Sequence, residues 1–591
     1  MGLVCGLTGP SLNAEQPNVL LIFCDDLNDY VEGFDGHPQS KTPNMKRLSQ
    51  TGVTFTQAHC NIPICGPSRA SCFTGIYPHH SGCYGFDRWN TYEVLNNSRT
   101  LMEHFRANGY YTLGTGKLMH HLVRKQWDEF GNQSDYGPFA FDGTDRVAHP
   151  DVPAPFRDIG QIDGSFGPLI DFNERTFQNG KTYSWLTGSW NEIRPLTVGM
   201  GDASSMTADE KNGHWAVKRL QELASEKQDQ PFFMGVGFIR PHTPLIVPQR
   251  FFDQFPLDSI TLPVIQPGDI DDTHARTVRG LPAGKEPNSE RTADMGTRLF
   301  QDLVASYDSQ DEALRRFIQA YLASVASVDE QIGKILDTLD RTGLRDNTIV
   351  ILTSDHGWGM GEKDYLYKNS LWQESTRIPL IIRSPGTSQA GAFSTQPVSL
   401  IDLYPTLIDL CELTGETVKN DRGHEIDGHS LKPLLQNPQL GEWTGGDAAL
   451  TALYKWRLQY DPLAESYSLR SHDWRYIRYE NGKEELYQTQ QDPYEWTNLA
   501  DAPEQAPRIK RFRQQLASRL PQTTTPPPQP KKQLKPKPQK SPPVVKNAEY
   551  WKNQHFRKHP EADTDGDGKL NWPEFKAHKA KLEMQNSGKD K

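Results

Sequence analysis

The chain has 591 residues and a net charge of −10, from 64 Lys and Arg against 74 Asp and Glu. That length exceeds one compact core, so a large domain with smaller appendages is expected. The acidic balance excludes a generic nucleic-acid binder, which needs a basic face for phosphates, and no stretch approaches the roughly 18–20 apolar residues of a membrane span.

Met1 to Ala14 are small and mildly apolar and end in Leu12-Asn13-Ala14, a pattern like a signal cleavage site but without a basic start. Residues 1–16 are therefore read as a signal-peptide remnant, which places the protein outside the cytoplasm, secreted or periplasmic. From residue 17 the chain alternates apolar runs with helical patterns. Asn18 to Phe23 ends in Asp25-Asp26, and Tyr110 to Leu113 leads to Gly116-Lys117. Phe232 to Phe238 runs into Arg240-Pro241-His242, and Thr348 to Leu352 ends in Asp355-His356. Runs of this kind suit strands buried on both faces of an α/β sheet. Ligands bind beyond the carboxyl ends of such strands, so four polar strand ends are expected to converge on one site. Between the third and fourth runs, apolar residues from Phe317 to Leu339 repeat at helical spacing, with Gly343 as the stop.

From Leu469 the pattern alternates around Asn481-Gly482, which predicts a small antiparallel sheet. Residues 17–440 are assigned to the main domain and 441–520 to this subdomain. Residues 521–546 are Pro- and Lys-rich, an extended linker, and 547–591 form a tail. Within the tail, Asp563, Asp565, Asp567, Lys569 and Glu574 occupy places one, three, five, seven and twelve of an EF-hand loop, with Gly568 at the tight turn. This loop predicts Ca²⁺ binding. The seven cysteines (5, 24, 60, 65, 72, 83 and 411) make no regular framework, and their spacing matches no zinc pattern, so most are expected to be buried thiols.

One segment is more specific than any of these. Cys65-Gly66-Pro67-Ser68-Arg69, followed by Phe73-Thr74-Gly75, resembles the C-x-P-S-R signature of type I sulfatases. The likeness extends through Pro17-Asn18-Val19, Asp25-Asp26, Thr42-Pro43-Asn44, Gly114 to Lys117, Asn347 to Val350, Ser354 to Gly357, Asp402 to Thr406 and Glu485 to Tyr487, in the family's order. It implies an alkaline-phosphatase-like α/β fold: a large, mostly parallel sheet flanked by helices, a smaller C-terminal antiparallel sheet, and here an appended EF-hand. It also implies that a formylglycine-generating maturation enzyme oxidises Cys65 to an aldehyde. The hydrated aldehyde is a diol; one hydroxyl attacks sulfur, and loss of the other's proton expels sulfate.

The resemblance assigns Asp25, Asp26, Asp355 and His356, beside the modified Cys65, to a divalent metal. Carboxylates suit Ca²⁺, with Mg²⁺ an alternative. Many members carry Asn where this chain has His356, and an imidazole is less typical of Ca²⁺. Arg69 would hold the formylglycine, and Lys117 and Lys368 would contact the sulfate. His120 would take a diol proton, and His242 would bind sulfate or protonate the leaving alcohol. The Lys117-to-His120 spacing, Arg240-Pro241-His242 and Ser354 to Trp358 look like the iduronate-2-sulfatase branch. That implies a sulfated saccharide substrate, from a glycosaminoglycan or an algal polysaccharide, with Tyr84, Asp87, Arg88 and Trp89 as candidate lining. Two rivals remain: a phosphonate or phosphodiester hydrolase of the same superfamily, and a catalytically silent, calcium-dependent glycan-binding protein.

Overall fold

The structure is a computed structural model. It describes residues 16–521 except 173–174, 176, 178–179, 189–192, 200–204, 227–229, 275–294, 440–442 and 455–460, and also parts of 559–581. The residues fall in two compact units divided between 529 and 530, each described by itself.

The apolar runs form the centre of an eight-stranded sheet. In chain order its strands are β1 (Asn18–Asp25), β2 (Val53–Phe55), β3 (Tyr111–Gly116), β4 (Glu129–Phe130), β5 (Phe232–Pro241), β6 (Thr348–Ser354), β7 (Leu380–Arg383) and β8 (Ala392–Ser394). Their spatial order is β8-β2-β7-β6-β1-β5-β3-β4. The five strands from β6 to β4 are parallel, and β7 runs antiparallel to both neighbours. β1 is the central strand, with Val19 paired to Phe233 on one side and Ile349 on the other.

Alternate residues of β1 enter different cores, as strand pleating requires. Leu20, Ile22 and Cys24 pack against α2 (Ala208–Glu226) and α3 (Gln310–Thr342), through residues such as Leu220, Leu322 and Val325. Val19, Leu21 and Phe23 face α1 (Cys65–Thr74), through Ala70 and Phe73. α3 starts seven residues before the expected span because Ser309 caps it by accepting from the Glu312 N–H. It ends at Gly343, whose φ of 76° is the left-handed cap that glycine adopts without strain.

The expected antiparallel sheet is present, as β9 (Ala448–Ala452), β10 (Tyr467–Ser471), β11 (Trp474–Arg478) and β12 (Glu484–Gln488). It packs on α4 (Ala506–Arg519), a helix not anticipated from the sequence, whose Ile509, Phe512 and Leu516 join Leu450, Leu469, Tyr476 and Leu486. Ile62, Ile64 and Tyr84 belong to the same core, so this sheet supports the segment that leads into α1. The six described cysteines are free and buried.

Candidate active site

The four polar strand ends do meet. β1 delivers Asp25 and Asp26, and β6 delivers Asp355 and His356; all four side chains are fully buried. Asp26 adopts φ 62°, a left-handed conformation that turns the chain sharply off the strand. The α3 helix holds that turn: the Tyr321 hydroxyl donates to the Asp26 carbonyl at 2.6 Å and accepts the Asn28 N–H at 2.9 Å.

Arg69 braces the two carboxylate-bearing loops. It is fully buried, donating from Nη2 to Asp25 Oδ1 at 2.9 Å and from Nε to Asp355 Oδ2 at 2.8 Å. Its Nη1 donates to the carbonyls of Lys117 and Leu118. Lys117 Nζ pairs with Asp25 Oδ2, and Lys368 Nζ pairs with Asp26 at 2.9 and 3.1 Å. Three carboxylates thus face three cations, a balance that makes their burial tolerable. Burial alone would raise the Asp25 pKa, but Lys117 and Arg69 outweigh it and hold the carboxyl well below its usual range.

Cys65 opens α1 with its side chain in the midst of these groups. Its Sγ lies 3.5 Å from His120 Nδ1. Burial pushes the thiol up, yet Lys117, Lys368 and His120 prevail and lower its pKa well below the ordinary value. The position is therefore built for negative charge. His242 faces Asp26 Oδ2 across 3.8 Å, and burial, reinforced by Lys368, keeps its imidazole well below the ordinary pKa. His120 is flanked by Phe86, at 5.1 Å between ring centroids, and by His121.

The donor set fits a cation. Donor atoms of Asp25, Cys65, Asp355 and His356 all lie within 4.8 Å of one another. His356 Nδ1 is engaged with the Gly357 carbonyl at 3.1 Å, which leaves Nε2 with a bare lone pair. Nε2 has no hydrogen-bond partner and faces Asp26 Oδ1 at 3.4 Å and Asp355 Oδ2 at 3.8 Å. Buried acceptors that face one another need a positive charge between them, and a metal ion supplies it. The same field, from Asp355 and Asp26, raises the His356 pKa against its burial.

The residues that the sequence assigned to catalysis and to the metal, Asp25, Asp26, Cys65, Arg69, Lys117, His120, His242, Asp355, His356 and Lys368, lie together in this cluster. Others had no local signal. Tyr136 lies under Lys117, whose Nζ is 4.9 Å from the ring centroid, and meets the His242 ring at 5.0 Å. Asp209 of α2 accepts the N–H groups of Ile239 and Arg240, both at 2.8 Å, and so fixes the approach to His242. One expected lining residue is elsewhere: Tyr84 is fully buried in the C-terminal core, its hydroxyl 2.8 Å from that of Tyr467. Trp89 is buried too and donates to the His121 carbonyl, whereas Asp87 and Arg88 are exposed.

A family model described as Sulfatase matches residues 17–413, the greater part of the chain. The chain belongs to the sulfatase family. A second model, N-sulphoglucosamine sulphohydrolase C-terminal, matches 361–522 of the sulfatase. A protein of Formosa agariphila named Sulfatase is 32% identical, over 82% of this chain and 83% of its own. A choline-sulfatase of Rhizobium meliloti is 27% identical, over 83% of each chain. The human iduronate 2-sulfatase is also 27% identical, over 69% of this chain and 72% of its own. These equal identities do not single out the iduronate branch. A solved structure with its substrate D-glucosamine-2-N,6-O-disulfate superposes with a TM-score of 0.60 and 21% identity, covering 85% of this chain and 97% of that one. It shows the shared alkaline-phosphatase-like fold. The protein is a sulfuric ester hydrolase.

Proposed function

We propose that the sulfatase hydrolyses a sulfate ester on a saccharide through a formylglycine made from Cys65 by a maturation enzyme. The observation that carries this reading is the place of a buried Cys65 at a helix start, with Sγ 3.5 Å from His120 Nδ1 and within 4.8 Å of the donor atoms of Asp25, Asp355 and His356. When formed, the formylglycine hydrate supplies one hydroxyl to attack sulfur and a second whose deprotonation expels sulfate. Asp25, Asp26, Asp355 and His356 would hold Ca²⁺, or Mg²⁺, which polarises the sulfate oxygens and lowers the nucleophile's pKa.

The protein's own groups do the rest. Lys117 and Lys368, both buried, face the developing negative charge, where low polarity strengthens their pull on it. His120 Nδ1 lies at the reacting residue and takes the proton of the second hydroxyl. His242, kept neutral at ordinary pH by its burial, binds a sulfate oxygen or serves the departing alcohol. Arg69 fixes the carboxylates and the start of α1 together. The saccharide reading draws support from the iduronate 2-sulfatase relative and the Arg240-Pro241-His242 segment.

In the tail, the EF-hand reading is supported by donor oxygens of Asp563, Asp565 and Glu574 within 4.8 Å of one another. Glu574 accepts the Thr564 N–H at 2.8 Å and the Asn571 N–H at 3.1 Å. Asp567 and Lys569 lie outside the described residues, as do 1–15 and the linker from 522. A calcium-binding loop agrees with a secreted or periplasmic location, and no described helix is long and apolar enough to cross a membrane.

The deciding experiment is the mass of the Cys65 peptide from protein made in its native host, with sulfate release measured on sulfated saccharides, aryl sulfates and phosphodiesters. A loss of roughly 18 Da and sulfate release that Cys65→Ala abolishes are expected. An unmodified thiol, or dominant phosphodiesterase activity, would refute the proposal.

A further inference from the structure

His80 and His424 are 344 positions apart in sequence, yet their rings stack with centroids 4.4 Å apart and planes 20° from parallel. His80 belongs to the short turn Pro78–Ser81 just after α1, and His424 to the loop that ends at Asp427. Neither is among the catalytic residues. The Asp427 carboxylate faces both rings: Oδ1 is 2.9 Å from His80 Nδ1 and 3.8 Å from His424 Nδ1. A divalent cation satisfies both nitrogens and the carboxylate at once.

The spacing suits such an ion. Zinc bonds of 2.0–2.2 Å to nitrogen and oxygen in a tetrahedron put the ligand atoms roughly 3.3 Å apart. The two measured separations straddle that figure, and all three donors lie within 4.8 Å of one another. Two imidazoles and one carboxylate favour Zn²⁺ over Ca²⁺ or Mg²⁺, which prefer all-oxygen sets.

The carboxylate is also held from behind, as metal ligands usually are. Its Oδ2 accepts the Tyr77 N–H at 2.8 Å, while the Asp427 N–H donates to the Gly75 carbonyl at 2.7 Å. Gly75 is the left-handed cap of α1, and a Cβ there would meet Ile426 at 2.8 Å. His424 Nδ1 rests 2.6 Å from the Glu425 carbonyl oxygen, a contact that a metal bond would replace. The side chains of His80 and His424 are 24% and 37% exposed, so the outer side of the site is open to water as a fourth ligand.

We propose that His80, His424 and Asp427 form a zinc site, distinct from the catalytic cradle, that clamps the 424–427 loop onto the far end of the helix beginning at Cys65. The tail contains another nitrogen-bearing cluster, His559, Glu561 and His578. The test therefore uses full-length protein carrying His559→Ala and His578→Ala, in excess Ca²⁺ so that oxygen-rich sites are filled. Calorimetric titration with Zn²⁺ gives the affinity, and anomalous scattering from zinc-soaked crystals gives the position. The expected result is a zinc peak between the three residues and an affinity lowered at least about 10- to 100-fold by His424→Ala. The His424 ring is the most exposed of the three, so this variant folds, and its thermal midpoint without zinc stays that of the parent. A zinc peak only elsewhere, or an affinity changed by less than about twofold in His424→Ala, overturns the assignment.

Discussion

Replacing Arg69 with Met keeps an unbranched side chain that reaches as far as the Nε position and removes the charged end of the guanidinium. The guanidinium makes two charge-assisted hydrogen bonds, at 2.9 Å to Asp25 and 2.8 Å to Asp355, with no solvent exposure on either side. Each such bond contributes about 1.5–3 kcal/mol. Removing one partner of a buried pair costs about 3–5 kcal/mol, because the other charge stays behind uncompensated. Lys117 continues to neutralise Asp25 in the variant, whereas Asp355 keeps only the imidazole of His356, 3.8 Å away, as a basic neighbour among the described ion pairs. The lower part of the summed range, about 3–4 kcal/mol, is therefore expected. The assay is urea unfolding in a chelating buffer, followed by tryptophan fluorescence, with stability compared at constant slope. Asp355→Asn in the same background should return at least about 1 kcal/mol as a coupling term in a double-mutant cycle. A loss below about 1 kcal/mol for Arg69→Met, with no coupling, would show that the carboxylates do not depend on this brace.

His120→Ala should lower kcat by about 10²- to 10⁴-fold, while His121→Ala, one position along the chain from His120, should cost less than about tenfold; equal losses would refute the assignment of the proton to His120. Dialysis against a chelator should abolish sulfate release, and re-addition of Ca²⁺ or Mg²⁺ should restore it, the better ion naming the resident metal. Failure of both ions on folded protein would overturn the cradle of Asp25, Asp26, Asp355 and His356. Truncation after Pro521 removes the second unit and leaves the catalytic unit's described contacts intact, so activity on small sulfate esters should stay within about twofold of the parent. A folded but inactive truncation would refute that independence.

The strand ends were legible because two physical signals coincide there. Apolar runs buried on both faces have a recognisable composition, and the residue that follows such a run in a parallel sheet points to the ligand side. Asp25, Lys117, His242 and Asp355 could therefore be assembled on paper before any coordinates. Tyr136, Asp209 and Tyr321 could not, because they reach the site from a loop, α2 and α3, and nothing in their neighbours' sequence encodes that approach. Tyr84 illustrates the opposite failure: it stood among the candidate lining residues, but the adjoining C-terminal core takes up its ring. The helix Ala506–Arg519 did carry a signal, Ile509, Phe512 and Leu516 at helical spacing, diluted by the many Arg and Gln around them.

The burial of α1 sets a deadline for the chain. Residues Cys65 to Arg69 are all buried, and Arg69 is pinned to four groups from three other segments. Another enzyme cannot grip this peptide in the finished molecule without tearing out the braces that hold the site together. Any oxidation of Cys65 by such an enzyme must come while the segment is still extended, and thus before β1 and β6 close over it. A copy that folds first is sealed with its thiol, and no later encounter repairs it. On the formylglycine reading proposed above, the yield of active enzyme would be decided by a race between modification and folding, and slowing the second should raise the fraction that wins the first.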